Sequence, residues 1–384
     1  MQHRLARLRA AMAEQQVTAL LVGSAANRRY LSGFNGSYGW LLITPDSALL
    51  FTDVRYTIQA ARQAPNFTLR QVSNPDRPLP TLLAESAAEL GLSAISCEAA
   101  HLSLAAYQQL RQGLGEGVEL KPSEGLVETL RETKDASEIA SLRHAIALTD
   151  RALVSVIEQL TPQTTEREVA WMLEVAMRTA GAEAVSFPII VAAGPNSALP
   201  HAQPGDAAIG QGRPIVIDMG ARVDGYHGDL TRTILLGEPD ARFWEIYHIV
   251  LSAQRRAIRG IGPGMPVHAA DALARDLITE AGYGAHFGHG LGHGVGLEIH
   301  EGPGLRRAAA GSSSTLLRPG MVVSVEPGIY LEGWGGVRIE DLVLITEQGC
   351  EVLSQAPKLA SRKVVALYRA VWRDVALHTA RRFV

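Results

Sequence analysis

Arg213-Pro214-Ile215-Val216-Ile217-Asp218-Met219-Gly220 and Met321-Val322-Val323-Ser324-Val325-Glu326-Pro327-Gly328 share one pattern. An apolar run of strand length ends in an acid, one residue follows, and then comes glycine. Beyond each copy a turn leads into a second strand with another acid, Asp229 in the first and Glu340 in the second. The repeat predicts two related hairpins that each offer two carboxylates. It implies a pseudo-symmetric domain with a site between its halves.

Turn chemistry fixes the geometry of the first hairpin. Asp224-Gly225 is a strong two-residue hairpin signal. If these two residues form the turn, Asp218 faces Thr231 and Asp229 faces Gly220. Residues two apart on a strand share a face, so Asp218 and Asp229 become diagonal neighbours on one face. A three-residue loop would reverse that parity. Side-by-side carboxylates repel and lose solvation when buried, and a divalent cation removes both penalties. Taken alone, the hairpin fits two solvated surface acids better. The second hairpin sharpens the case, because Glu326 ends an apolar strand that should be buried. Glu340 follows Val337-Arg338-Ile339, and Gly335-Gly336 is the expected turn. Buried acids are rare unless paired or metal-bound. Arg338 shares a face with Glu340, so an Arg–Glu ion pair is the plain alternative.

Histidines gather between the two copies. His286, His289, His293 and His300 lie within a glycine-rich run, four of the chain's 12 histidines. The cluster holds no cysteine, which excludes a zinc finger. Gly288 to Gly296 lacks the Lys-Ser/Thr ending of a phosphate loop. His201 follows Gly194-Pro195-Asn196-Ser197-Ala198-Leu199-Pro200, where prolines hold a rigid turn; alone it reads as an ordinary packed histidine. Four acids and one histidine make an oxygen-rich donor set suited to Mn²⁺, with Co²⁺ or Zn²⁺ as alternatives. Two ions sharing carboxylates would hold and acidify a water between them.

The rest of the chain frames this region. The 384 residues are 47% hydrophobic and 20% charged, enough for a large core and against global disorder. The net charge of −3 leaves no basic surplus for nucleic acid. No apolar run is long enough to span a membrane, and the N-terminus reads as an amphipathic helix with Leu5, Leu8 and Met12 on one face, not as a signal peptide. Two distant cysteines, Cys97 and Cys350, suit a reducing compartment. The expectation is a soluble cytoplasmic protein. Short apolar runs at Ala19–Val22, Trp40–Ile43 and Ala48–Phe51 alternate with helical stretches, which predicts a compact α/β unit over residues 1–130. A long helix with Ile139, Leu142, Ile146 and Leu153 on one face opens a second domain, 131–384.

Together these motifs resemble the pita-bread metallopeptidases, and within them the proline peptidases. The resemblance covers nearly the whole chain, and Phe51-Thr52-Asp53-Val54-Arg55-Tyr56 is similar to the creatinase-type N-terminal domain. It implies an α+β protein with a creatinase-like N-terminal α/β domain (1–130) and a pseudo-symmetric pita-bread catalytic domain (131–384). It implies two divalent metal ions per subunit, Mn²⁺ first, then Co²⁺ or Zn²⁺. Carried over, Asp218 binds one ion and His293 with Glu326 the other, while Asp229 and Glu340 bridge them. His201 and His300 match catalytic histidines that are not ligands. Arg338 matches an arginine that braces the metal site, and Glu326 doubles as proton shuttle.

The implied reaction is hydrolysis of an Xaa-Pro bond by a hydroxide activated between the metals. Dipeptidase (prolidase) action on short Xaa-Pro peptides is favoured over aminopeptidase P action on longer ones. A homodimer is implied, with neither nucleic acid nor membrane as partner. A dipeptidase needs a cation for the proline carboxylate; Arg306, Arg307 or an arginine of a partner subunit is the candidate. Methionine aminopeptidases fit less well, because only fourteen residues separate Glu326 and Glu340. A non-catalytic binding protein on the same fold is disfavoured by the intact set of five ligands, and metal-free creatinase by the same set.

Overall fold

Runs such as Leu20–Val22 and Trp40–Ile43 are short and almost wholly buried, and they pair into one sheet. In the computed structural model, which describes residues 1–308 and 315–358, the chain divides into two compact units, Met1–Arg131 and Glu132–Val384. Residues 359–384, which the sequence assigns to the second domain, lie outside the described residues.

The first unit carries β1 (Leu20–Val22), β2 (Trp40–Ile43), β3 (Ala48–Asp53), β4 (Thr68–Val72), β5 (Ala94–Glu98) and β6 (Glu119–Ser123). Their order in the sheet is β4-β3-β2-β1-β5-β6. The hairpin strands β1, β2 and β3 run antiparallel, and the others join in parallel. Helices Thr57–Gln63 and Leu104–Leu114 connect the parallel pairs β3–β4 and β5–β6, as parallel pairing requires. Leu21, Leu42, Phe51, Leu83 and Ile95 form the core.

The second unit runs through one plan twice. Its first half opens with helices Ala136–Ile157 and Glu166–Thr179, each started by a reciprocal cap, Asp135 with Glu138 and Thr165 with Glu168. Then come β7 (Ala184–Val185), β8 (Ile190–Ala193), β9 (Ile215–Met219), β10 (Ala221–Val223), β11 (Tyr226–His227) and β12 (Leu230–Ile234). They form sheets ordered β12-β9-β8 and β11-β10-β7. The second half opens with helices Ala241–Gly260 and Val267–Glu280. After them come β13 (Gly292–Gly294), β14 (Glu301–Leu305), β15 (Val322–Val325), β16 (Gly328–Leu331), β17 (Gly335–Arg338), β18 (Asp341–Thr346) and β19 (Gly349–Val352). These form β14-β13-β15-β18-β19 and β16-β17. Each half has its own apolar core, Leu153, Leu173, Val191 and Ile217 in the first, Phe243, Ile278, Val323 and Val343 in the second. No helix among the described residues is long and apolar enough to cross a membrane.

Asp224 and Gly225 both have positive φ, 49° and 74°, as a type I′ turn requires. One register runs outward from that turn: Val223 faces Tyr226, and Asp218 faces Thr231. The second hairpin departs from expectation. Gly335 and Gly336 are not its turn; they lie in β17, paired with Leu331 and Tyr330. The connection is Glu332-Gly333-Trp334, with Gly333 at φ 77°. Gly336 is glycine for a different reason: a Cβ there would meet the carbonyl oxygen of Ser197 at 2.1 Å. The three-residue loop gives the opposite parity. Val325 faces Asp341 and Gly328 faces Arg338, so Glu326 stands opposite Glu340.

Candidate metal centre

Each hairpin breaks between its inner and outer pairings; Asp229, Glu326 and Glu340 sit at the breaks, and Asp218 in the ladder beside one. β15 and β18 pair as far as Val325 and Asp341, and β16 and β17 resume at Gly328 and Arg338. At the gap the Glu326 N–H donates to Leu291 O (2.8 Å) and the Glu340 N–H to Thr231 O (3.1 Å). In the first half, Asp229 occupies the gap between β11 and β12, and Asp218 lies near the end of β9.

Asp229, His293 and Glu340 offer ligand atoms that all lie within 4.8 Å of one another. Glu326 adjoins them: its Oε1 is 3.2 Å from His293 Nε2, and Asp229 Oδ2 is 3.6 Å from the same nitrogen. Asp218 stands outside that trio. Its Oδ2 accepts from Arg338 at 2.7 Å. Arg338 also donates to Thr231 Oγ1 (3.0 Å), Tyr330 Oη (2.8 Å) and Pro200 O (3.2 Å). It therefore pairs with Asp218, not with Glu340. Glu340 instead accepts from the Thr231 hydroxyl at 2.8 Å. Ser324 Oγ donates to Glu326 at 3.1 Å and accepts the His293 N–H at 3.0 Å.

The electrostatics are those of carboxylates forced together. Burial, then Glu340, Asp218 and Glu326, push Asp229 well above its ordinary range. Burial, then Glu326 and Asp218, do the same to Glu340. Burial raises Asp218 against the pull of Arg338. Burial alone would raise Glu326, but the hydrogen bond and charge of His293, with His289 and Arg338, bring it down to about 2. Burial opposes charge on His293, and Glu326 overrides it, lifting the imidazole to about 9.

This donor set fits divalent cations. His293 Nδ1 lies 3.1 Å from Gly294 O. A carbonyl only accepts, so Nδ1 carries the hydrogen and Nε2 faces the acids. Without a metal, Nε2 holds a proton shared with Glu326; a cation among the acids would take that proton's place and use the Nε2 lone pair. Asp218 Oδ1 and Glu340 Oε1 are buried without a hydrogen-bond partner, which native structures seldom tolerate. Oxygen donors with one imidazole match hard and borderline ions.

A cavity of about 840 Å³ opens onto the acids and His293. Asp218, Asp229, His293, Glu326, Glu340, Arg338, His201 and His300 all lie on its wall, as do His289 and Arg306. The rings of His293 and His300 meet edge to face at 4.4 Å. Burial and the adjacent His293 lower the His300 pKa. His286 is not on this wall; it packs near Tyr283. Three contributors were not singled out in the sequence. Thr231 lies two residues after Asp229 and Ser324 two before Glu326, so strand alternation carried that signal. Tyr330 carried none, because its phenol reaches the site from a hairpin that turns at Glu332-Gly333-Trp334 and not at the glycine pair. It accepts from Arg338 and lies 3.0 Å from His289 Nε2.

Comparison with known proteins agrees with this geometry. The model of metallopeptidase family M24 matches residues 140–347. The chain belongs to metallopeptidase family M24. The creatinase/prolidase N-terminal domain matches residues 4–133 of this M24 enzyme. An Xaa-Pro dipeptidase from Pyrococcus horikoshii is 36% identical over 349 residues, 90% of this chain and 95% of that protein. The structure of an Xaa-Pro dipeptidase from Bacillus anthracis matches with a TM-score of 0.89 at 42% identity, covering 93% of this chain and 98% of that one. An X-Pro aminopeptidase from Thermotoga maritima matches with a TM-score of 0.83 at 38% identity, covering 91% and 98%. The M24 chain is thus a metallopeptidase with a creatinase-type N-terminal domain and a pita-bread catalytic domain.

Proposed function

We propose that this M24 metallopeptidase hydrolyses the Xaa-Pro bond of dipeptides with two divalent ions, Mn²⁺ first. Asp218, Asp229, His293, Glu326 and Glu340 would hold the ions. When bound, they supply positive charge to the acid cluster and Lewis acidity to the carbonyl before proline. The chain's own groups do the remaining work. Glu326, beside the ions, would accept a proton from the attacking water and return it to the departing proline nitrogen. His300 and His201 donate to the carbonyl oxygen as negative charge develops there. Arg338 holds Asp218 and Thr231 in place. The amide before proline is tertiary and has no N–H, so the enzyme must grip the carbonyl oxygen and the peptide's ends.

The observation that carries the dipeptide reading is Arg306. It lies on the wall of the acid-lined cavity, its side chain is exposed, and no acid among the described residues pairs with it. Arg307 does not line that cavity. A free guanidinium there suits a proline carboxylate, which a third residue would replace with an amide. Ala-Pro should therefore be cleaved with higher kcat/KM than Ala-Pro-Ala. Arg306→Ala should raise KM for Ala-Pro by about tenfold or more, roughly 1.4 kcal/mol, and leave Ala-Pro-Ala nearly unchanged. The second reading is an aminopeptidase acting on longer peptides, kept by the similarity to the Thermotoga maritima enzyme. Tripeptide turnover equal to or faster than that of the dipeptide would establish it.

A further inference from the structure

Helix Val267–Glu280 lies outside the cavity, yet it buries a charged pair. Asp271 is 1% and Arg275 8% exposed. They form a two-pronged contact one helical turn apart: Arg275 Nε to Asp271 Oδ2 at 2.6 Å, and an Arg275 terminal nitrogen to Asp271 Oδ1 at 2.8 Å. A buried ion pair is poor value for stability, since apolar residues of similar size usually serve as well. Its other contacts show a different use.

All of its other hydrogen bonds go to backbone in Phe287–Leu291, just before His293. Arg275 donates to Phe287 O (2.9 Å) and His289 O (2.6 Å), and its guanidinium lies 4.2 Å from the centre of the Phe287 ring. Asp271 Oδ1 accepts the Leu291 N–H at 2.9 Å. The pair thus engages every second residue of the segment, as a neighbouring strand would. Gly288 and Gly290 have no side chains with which to anchor it. On its far side, a Cβ on Gly290 would stand 2.7 Å from Leu305 O, so the segment is confined there too. The next link is Leu291 O, which accepts the Glu326 N–H at 2.8 Å. Asp271 therefore reaches Glu326 through a single residue, and His293 follows two residues on.

We infer that Asp271 and Arg275 are positioning residues for the reaction: they set the backbone from which His289 and His293 project and on which Glu326 hangs. This rests on the reading of the cavity as the metallopeptidase centre. Neither side chain touches substrate; both act through the segment they hold.

The test uses the full-length chain. Arg275→Met keeps the stem and removes the fork, and Arg275→Lys keeps the charge without it. Mn²⁺ affinity is titrated on metal-stripped protein, and Ala-Pro kinetics are normalised to folded protein by circular dichroism. Arg275→Met should bind Mn²⁺ about tenfold or more weakly. Its kcat should fall by about 10²-fold while KM moves less than about threefold. Arg275→Lys should recover part of both losses. Mn²⁺ affinity and kcat per folded molecule within about twofold of the parent would overturn the inference, whatever the melting temperature. If Arg275→Met does not fold, Arg275→Lys decides by the same criterion. If the parent cleaves no Xaa-Pro substrate, the proposed function fails, and the Mn²⁺ affinities alone decide the clamp.

Discussion

Asp229 and His300 lie on one wall but suit different tasks. Asp229 is 5% exposed and crowded by Glu340, Asp218 and Glu326. Such a carboxylate needs a cation nearby to remain charged. His300 is exposed and meets His293 edge to face, which leaves its ring free to face substrate. Asp229→Asn removes one charge from the cluster and should lose both bound metal and activity. His300→Ala should keep its metal while kcat falls by roughly 10²-fold, the scale of losing a group that assists charge development. Metal analysis of the two purified variants beside their kinetics checks this. Equal metal loss in both would mean that His300 belongs among the ligands.

At the scale of elements, the two hairpins show what local chemistry can specify. Asp224-Gly225 demands positive φ at adjacent residues, and the register of β9 to β12 follows from that turn alone. The relation of Asp218 to Asp229 was therefore readable from the chain. Gly335-Gly336 looks like the same signal and is not one. Gly336 answers to Ser197, a residue far away in sequence, and that demand leaves no local trace. The glycine at the first hairpin's break is confined from within its own hairpin. A Cβ on Gly220 would stand 1.9 Å from Gly228 O, where the strands cross beside Asp218 and Asp229. Gly220→Ala must push that crossing apart. It should cost about 2–3 kcal/mol in denaturant unfolding, typical of overpacking, and reduce bound Mn²⁺. Parent-like stability and metal content would mean that the crossing has room to bow.

For the molecule as a whole, legibility followed how far each feature reaches. The ordered acids and histidines stood out because each lies in a short stretch whose pattern can be judged by itself. Tyr330 and the Asp271–Arg275 pair did not, because their importance depends on which distant backbone comes to meet them; Arg306 stood beside Arg307 as a candidate, and only the fold separates the two. Asp150 is another such residue, and it bears on stability rather than chemistry. It sits on helix Ala136–Ile157, 3% exposed, and accepts the N–H groups of Gln355 (2.7 Å) and Ala356 (3.1 Å). Burial lifts its pKa to about 6, against those two hydrogen bonds and the charge of Arg232. The folded carboxyl thus holds its proton at a pH where the unfolded chain has released it. Between about pH 4 and 6 the unfolded state binds fewer protons, so unfolding free energy falls as pH rises, by about 3 kcal/mol in total for a shift of this size. Asp150→Asn removes that slope and leaves a constant loss, since its amide nitrogen cannot accept. Urea unfolding of metal-free parent and variant between pH 4 and 7.5 isolates the effect, because every other titrating group cancels in the difference. The parent's advantage should be largest near pH 4, shrink by about 3 kcal/mol as pH rises to 7, and stay level above that. Parallel curves throughout would mean that the Gln355 and Ala356 N–H groups fully offset the burial, and that Asp150 titrates alike in the folded and the unfolded chain.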